Sequence, residues 1–589
     1  MSRARARAAL LALAVTLAGA ARAQPYDPAY RWRTLETPHF RVHFHQGEDA
    51  LASEVARAAE RAHEVLVPLL GWAPRSRTEV VLSDDSDDAN GSATPLPYNT
   101  IRLYATPPSE LSELNAYRDW VTSLVFHEYV HILHLDHVEG LPRLANGLFG
   151  RLLLPNGLTA PWLLEGLAVL HEADGTPGAG VGRNRSALHA MYVRSLATEP
   201  PGFPRLDEAS NPPLAFPLGV EPYLLGGRFL EFLQERSGPE AIRDYLSRQS
   251  AWVWPYAPSL AGAPVFGASF PALWKEYAAR EEERAGAVLE RIRSRPVTRP
   301  VRLTFGGGRT GWPRWTEGGA LVAVRRNLDE SPAVVRVTAD GKPAGEPIRV
   351  LGLSGLAAGG GRVVVSRAQV HRERRLYDDL YELELATGDL RRLTEGARAS
   401  DPALSADGAW LAYVRRVGPG RLALVRRRTG GPEEIVFAAP GAEVFAPALS
   451  ADGSTLAFAV QRAGRRDIAV VRDGAPAVAV TDDAALDASP AFTRDGKWLL
   501  FSSDRGGVYN LYAVALEECL AARAGGCPLR QVTNVETGAF QPSISPDGKT
   551  IAFVTFTRAG YDLATIPFRP EEWLAPEIET PVPDSVPVP

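Results

Sequence analysis

Four stretches in the second half of the chain are variants of one unit: "DPALSADGAWLAYV" (Asp401–Val414), "APALSADGSTLAFAV" (Ala446–Val460), "SPAFTRDGKWLLFSS" (Ser489–Ser503) and "QPSISPDGKTIAFVT" (Gln541–Thr555). Their Asp-Gly steps, at Asp407, Asp452, Asp495 and Asp547, recur roughly every 45 residues, the period of a four-stranded propeller blade. Each step suits a tight hairpin turn, because Gly accepts positive φ and Asp can bond its own backbone. The alternating runs that follow, such as "WLAYV" and "TIAFV", read as strands. Two weaker copies come first, at Gly311–Val324 and Gly355–Ser366. Closing strands are supplied by "RRLTEG" (Arg391–Gly396) and "RQVTNV" (Arg530–Val535), and "VRLTFGG" at Val301–Gly307 is placed to complete the last unit. The expectation for residues 301–570 is an all-β six-bladed propeller. One Asp per unit cannot converge on a single ion, so these residues are assigned to turns.

A chain of 589 residues is too long for one core. Ahead of a linker at 293–300, "RSRPVTRP", the grammar is mixed. Strands are expected at His39–His45, Arg77–Ser83 and Asn99–Ala105, around a helical Ala50–Leu70, with further helices running to about Ala287. Residues 24–292 are therefore expected to form an α+β domain with its helices gathered late. Residues 1–23 have a basic start, an apolar stretch from Ala8 to Ala20 and a small-residue Ala21-Arg22-Ala23 site, the pattern of a signal peptide. Its removal takes away four arginines and no acids, so the formal charge goes from −5 to −9. No basic stripe occurs, which argues against nucleic acid as a partner. No later apolar run approaches the ~20 residues a spanning helix needs. An exported protein, periplasmic or secreted, is the expectation. Cys519 and Cys527 are the only cysteines, and a local disulfide is the natural reading in an oxidising compartment. The Pro-rich segment 571–589 is expected to be disordered.

The segment "DWVTSLVFHEYVHILHL" carries no Gly or Pro and is mostly apolar, so it reads as a buried helix. On it His127 and His131 share one face, with Glu128 about 100° around from the first. This is the HExxH arrangement: two imidazoles for zinc and a carboxylate to take the proton of an attacking water. Two candidates exist for the third ligand. His137 has the metzincin spacing, but that pattern needs Gly where His134 stands, to break the helix. Met191 lies in a helical "ALHAMYVRS" and does not form a Met-turn. No G-x-S-x-G elbow is present, which sets aside a serine hydrolase.

The other candidate is Glu165 in "PWLLEGLAVLHE" (Pro161–Glu172). Trp162, Glu165, Gly166 and Ala168 resemble the W-x-x-E-G-x-A helix of the gluzincin metallopeptidases. Tyr223 and Gly226 in "VEPYLLGGRFLEFL" resemble the Y-x-x-G helix of the aminopeptidase branch of that clan. The resemblance implies an α+β zincin-like domain that binds one catalytic zinc through His127, His131 and Glu165. It implies Glu128 as general base and Tyr223 as oxyanion donor. His134 and His137 are left to packing or to hydrogen bonds that support the ligands. Val169 stands where thermolysin-like enzymes carry the Asp that orients a ligand, so that support is not identified. No strand for gripping a substrate amino terminus is found, which favours an endopeptidase; "NTIRLYA" is available as an edge strand for an extended peptide. The repeats in turn resemble the TolB-like propellers of exported bacterial proteins, which implies a unit that gates or presents substrate. A second reading makes that unit an envelope protein–protein interaction module, with the first domain a zinc-stabilised scaffold.

Overall fold

A computed structural model describes residues 27–172, 182–211, 216–217, 219–252, 258–327, 329–522 and 527–577. The leader-like segment 1–23 and residues 578–589 of the Pro-rich end lie outside them.

In the first part, five strands form one sheet: β1 (Arg33–Glu36), β2 (Phe40–Phe44), β3 (Thr78–Ser83), β4 (Gly91–Thr94) and β5 (Thr100–Tyr104). Their order is β1-β2-β3-β5-β4. Strands β2, β3 and β5 run parallel, while β1 and β4 are antiparallel to their neighbours. Helix α1 (Asp49–Leu70) makes the crossover from β2 to β3 and buries a small-residue face that includes Ala52, Val55, Ala59 and Ala62. "NTIRLYA" is a strand, β5, but both of its edges are taken, by β3 and by β4. The outer strands are β1 and β4, so the assignment of an open edge to Asn99–Ala105 is corrected. Strand β5 alternates buried Ile101 and Leu103 with outward Arg102, so one face of the sheet is covered and the other is open to solvent.

The helices that follow include α2 (Trp120–Asp136), α3 (Gly140–Phe149), α4 (Pro161–Leu170), α5 (Ala187–Thr198), α6 (Glu221–Ser237) and α7 (Phe270–Arg293). Met191 sits inside α5, as the helical reading of its segment implies. No helix among the described residues is long and apolar enough to cross a membrane.

From residue 301 onward the chain is rich in β-structure. The Asp-Gly turns are built as anticipated: Gly408 has φ +70°, Asp407 accepts from the Ser405 hydroxyl at 2.6 Å and from the Ala409 N–H at 2.9 Å. The all-β six-bladed propeller, however, is corrected. The strands make five sheets, one of eight strands and four of four, and these are not closed by hydrogen bonds into a barrel or into six separate blades. The cause lies in the glycines around β6 (Val301–Arg302), β7 (Gly308–Trp315) and the last strand, β8 (Gly560–Pro567). Strand β6 does pair with β8, Arg302 opposite Ala564. Strand β8 also runs parallel to the start of β7, Gly560 opposite Gly308. A Cβ on Gly560 would stand 2.2 Å from the Gly308 carbonyl oxygen, so only glycine lets the two backbones approach. First and last repeats thereby merge into one sheet. The region is also not purely β: a short helix, Leu516–Ala522, carries Cys519, which is disulfide-bonded to Cys527.

One apolar core cluster runs from Phe40, Tyr129 and Leu163 of the first part to Tyr509, Phe540 and Phe556 of the second. Within it α4 and α6 meet backbone to backbone. A Cβ on Gly166 would lie 2.4 Å from the Gly226 carbonyl carbon, and one on Gly226 would lie 2.0 Å from the Trp162 carbonyl oxygen. Gly226→Ala should therefore force the helices apart and destabilise by about 1–3 kcal/mol, as overpacking does elsewhere. The control is Gly286→Ala in α7, where a Cβ meets nothing within 4 Å; thermal unfolding should show a lowered midpoint for the first variant and an equal or higher one for the second.

Candidate metal centre

Helix α2 starts at Asp119, whose carboxylate accepts from the Thr122 N–H at 2.7 Å, an N-cap that sets the helix phase. It is buried from Leu124 to His134 without a break. Helix α4 starts with Pro161 at its first position, where the missing N–H costs nothing. The glycine contact with α6 then brings Glu165 and Tyr223 to the side of α2 that carries His127 and His131.

Three donor atoms converge there. His127 Nε2 and His131 Nε2 are 3.2 Å apart. Glu165 Oε2 lies 3.3 Å from His131 Nε2 and 3.6 Å from His127 Nε2. Among the described residues His127, His131 and Glu165 form the group of His, Cys, Asp and Glu side chains able to hold a metal ion. Donors ~2.0–2.1 Å from a tetrahedral zinc stand about 3.3 Å from one another, so the triangle fits that ion. Glu165 Oε2 is buried and has no hydrogen-bond partner, as is Glu128 Oε2 beside it. Two imidazole nitrogens and an orphaned carboxylate oxygen at these separations form a donor set matched to a divalent cation.

Charge around the trio is arranged from a second layer that the sequence did not reveal. Glu172 Oε1 lies 2.9 Å from His127 Nδ1, and Arg183 Nε donates to the same carboxylate oxygen at 2.8 Å. With Nδ1 against this carboxylate, Nε2 is the ring nitrogen of His127 that faces the other donors. Burial opposes the charged form of His127, but Glu165 and Glu172 outweigh it and raise its pKa to about 9. Burial pushes Glu172 up, yet the Arg183 guanidinium and His127 hold it at about 2. Burial likewise pushes Glu165 up, and the His127 and His131 imidazoles beside it more than reverse this, leaving it far below the usual carboxylate range. Glu172 thus gives His127 Nδ1 a carboxylate partner that Val169 cannot supply. It lies past the C-terminal end of α4 at Leu170, so helix periodicity does not place it on the face of Glu165.

Glu128 is buried, and burial raises its pKa against the pull of the two histidines. Gly91 of β4 leaves it room: a Cβ there would fall 2.6 Å from Glu128 Oε1. The Tyr223 ring stacks at 6.2 Å on the His127 ring and carries the Arg183 guanidinium 4.7 Å above its centre. Burial, with Glu165 nearby, pushes the phenol up to about 12, so it remains a proton donor. Both side chains line a cavity of about 370 Å³, together with Gly91, Trp120 and Glu113.

The remaining histidines lie apart. His134 is buried, and burial drives its pKa down to about 3, which keeps it neutral. His137 caps the end of α2, stacks on Trp72 at 4.6 Å and meets Glu139 Oε1 at 2.7 Å. The helix runs straight through the position where a metzincin would break, and His137 does not join the trio.

The β-rich part reaches the same cavity through loop 107–119. Arg466 is wholly buried and donates to the Glu110 carbonyl at 2.5 Å, the Asn115 carbonyl at 3.3 Å and Gln461 Oε1 at 2.9 Å. The Glu110 carboxylate accepts from the Ser489 N–H at 3.1 Å. Across the loop, the Gly182 N–H donates to the Ala116 carbonyl at 2.8 Å, one residue ahead of Arg183. A connected set of bonds therefore leads from the repeats to the partner of His127.

A family profile described as "TolB beta propeller domain" matches residues 399–567, a span that leaves out the two weak copies. A Treponema pallidum (strain Nichols) protein, named only as uncharacterized, is 29% identical over 209 residues, 35% of this chain. The match spans 18% of that protein's length. Among solved structures, TolB from Acinetobacter baumannii aligns with a TM-score of 0.33 at 16% identity, over 44% of this chain and 66% of that one. A gluconolactonase from Xanthomonas campestris gives 0.35 at 16% identity, over 46% of this chain and 89% of that one. A puromycin-hydrolyzing peptidase of Mycobacterium tuberculosis gives 0.32 at 16% identity, over 48% and 50%. Likenesses at this level carry no argument about the chemistry of the cavity, which rests on its own geometry.

Glu172→Gln should weaken zinc binding by roughly 10–100-fold while leaving all three donor side chains in place. Competition against a chelator of known affinity measures it; an unchanged zinc affinity would remove Glu172 from the site.

Proposed function

We propose that the chain is an exported zinc-dependent peptidase, an endopeptidase, whose zinc is held by His127, His131 and Glu165. The observation that carries this reading is the triangle of donors at 3.2, 3.3 and 3.6 Å with a buried, partnerless Glu128 oxygen beside it. Zinc bound there would supply a Lewis acid that brings the pKa of a water to ~7 and polarises a carbonyl. Glu128 takes the proton of the attacking water and passes it to the leaving amine. Tyr223 donates its hydroxyl to the developing oxyanion. The free edge of β4, which begins beside Glu128 at Gly91, offers backbone groups to an extended peptide. The β-rich part acts by bracing loop 107–119 as a wall of the cavity.

The rival reading, an interaction module with a zinc-stabilised scaffold, gives no reason to bury Glu128 without a partner. An uncompensated buried carboxylate is costly, and a scaffold gains nothing from it.

Hydrolysis of an unstructured protein substrate, with zinc content followed in parallel, tests the proposal. Glu128→Gln should keep near-stoichiometric zinc and lose activity by about 10²–10⁴-fold. Tyr223→Phe should lower kcat by about 10²–10³-fold with little change in KM. Full activity in Glu128→Gln would contradict the proposed base, and stoichiometric zinc in a wild type without peptidase activity would favour the scaffold.

A further inference from the structure

Among the described residues, exposed large apolar side chains are gathered in the segment between α2 and α4. Leu141, Leu144, Leu148 and Phe149 on α3, and Leu152 just after it, each keep between 67% and 80% of their surface exposed. Leu158 follows in the same segment at 57%. On α3 only Pro142 is buried. Isolated exposed leucines are ordinary, but a contiguous group of this size marks an interaction surface.

These side chains project into solvent over most of their surface, a protrusion that suits a partner that flows around them. The segment is anchored where it meets the body. The Asn146 side chain holds the following turn, accepting from the Leu152 and Leu153 N–H groups. Asn156 donates to the His134 carbonyl at 2.8 Å, and Arg151 donates to Asn99 Oδ1 at 2.8 Å. Its charge is also unlike that of the rest: no acidic residue occurs between Glu139 and Glu165, while Arg143 and Arg151 do, in a chain whose net charge is −5. Arg151 is ion-paired with Asp136; Arg143 is exposed on α3 beside the leucines.

We propose that this protrusion docks the protein on an anionic lipid bilayer, with the α3 leucines and Phe149 inserted among the acyl chains and Arg143 at the headgroups. An apolar helix face with an exposed cation, in a segment free of acidic residues between Glu139 and Glu165, fits a negatively charged interface locally, against the net charge of the chain as a whole. Through Asn99 and Arg151 the protrusion adjoins the turn that links β4 to β5, so docking would set the open edge of β4 close to the membrane surface. A membrane-attached polypeptide would then be the substrate class, a corollary that rests on the peptidase reading. The docking itself does not.

The experiment is co-sedimentation of the chain from Gln24 onward, which omits the apolar Ala8–Ala20 stretch, with phosphatidylcholine vesicles with and without phosphatidylglycerol. Binding to the anionic vesicles is expected. Leu148→Ser combined with Phe149→Ser should reduce it by at least about tenfold, from the apolar area no longer buried, with thermal unfolding unchanged because both residues are exposed. Arg143→Glu should abolish the preference for anionic over neutral vesicles. No binding to either vesicle, equal binding by the double variant, or a wild-type dimer that the double variant dissolves would overturn the proposal, the last assigning the surface to a second copy. None of these readouts uses peptidase activity, so failure here and failure of the zinc chemistry are told apart.

Discussion

The backbone contact between Gly166 and Gly226 is the constraint on which the site depends. A helix pair separated by ordinary side chains sits 8–10 Å apart; here the α6 backbone lies against the Trp162 carbonyl, with no room for a single Cβ. That closeness carries Glu165, one residue before the first glycine, and Tyr223, one turn before the second, into the same space beside α2. Glycine in a helix interior weakens the helix by up to ~1 kcal/mol relative to alanine. Both helices accept that cost, and what they obtain is an arrangement that places a carboxylate 3.3 Å from His131 and a phenol over His127.

Around this contact the electrostatics are layered. Buried charges are tolerable when paired and hydrogen-bonded, and each one here has a place in a sequence of partners. Arg183 holds Glu172, and Glu172 orients His127. The exceptions are Glu128 Oε2 and Glu165 Oε2, which have no hydrogen-bond partner. The proposed chemistry needs a free lone pair on both, on Glu165 for the metal and on Glu128 for a proton. Loop 107–119 ties this assembly to the repeats: Arg466 is fully buried and three of its bonds go to loop carbonyls and Gln461. The β-rich part is in this way a wall of the cavity as much as a separate unit.

Much of the site was legible because its geometry is local. His127 and His131 are one helical turn apart, and Trp162, Glu165 and Gly166 lie within one turn of another helix; helix periodicity alone places each set on a face. Glu172 was not, because it lies past the C-terminal end of α4, where helix periodicity does not place it. Nor was Arg183, because it lies well beyond α4 in sequence and its approach to His127 and Glu172 carries no local pattern. Strand β4, "GSAT", lacks the β-branched alternation that marks a strand, and becomes one by pairing with β5. In the second part the Asp-Gly turns were readable from residue chemistry. The merger of first and last repeats was not, since it follows from a long-range approach of Gly308 and Gly560 that no periodicity announces.

The central claim is that the three converging donors hold zinc. Anomalous diffraction at the zinc edge, from crystals of the chain grown with zinc, tests it most directly. The account predicts one strong peak about 2.0–2.2 Å from His127 Nε2, His131 Nε2 and a Glu165 oxygen. An empty position there in zinc-loaded crystals, or a peak bound instead by His134 or His137, would contradict it.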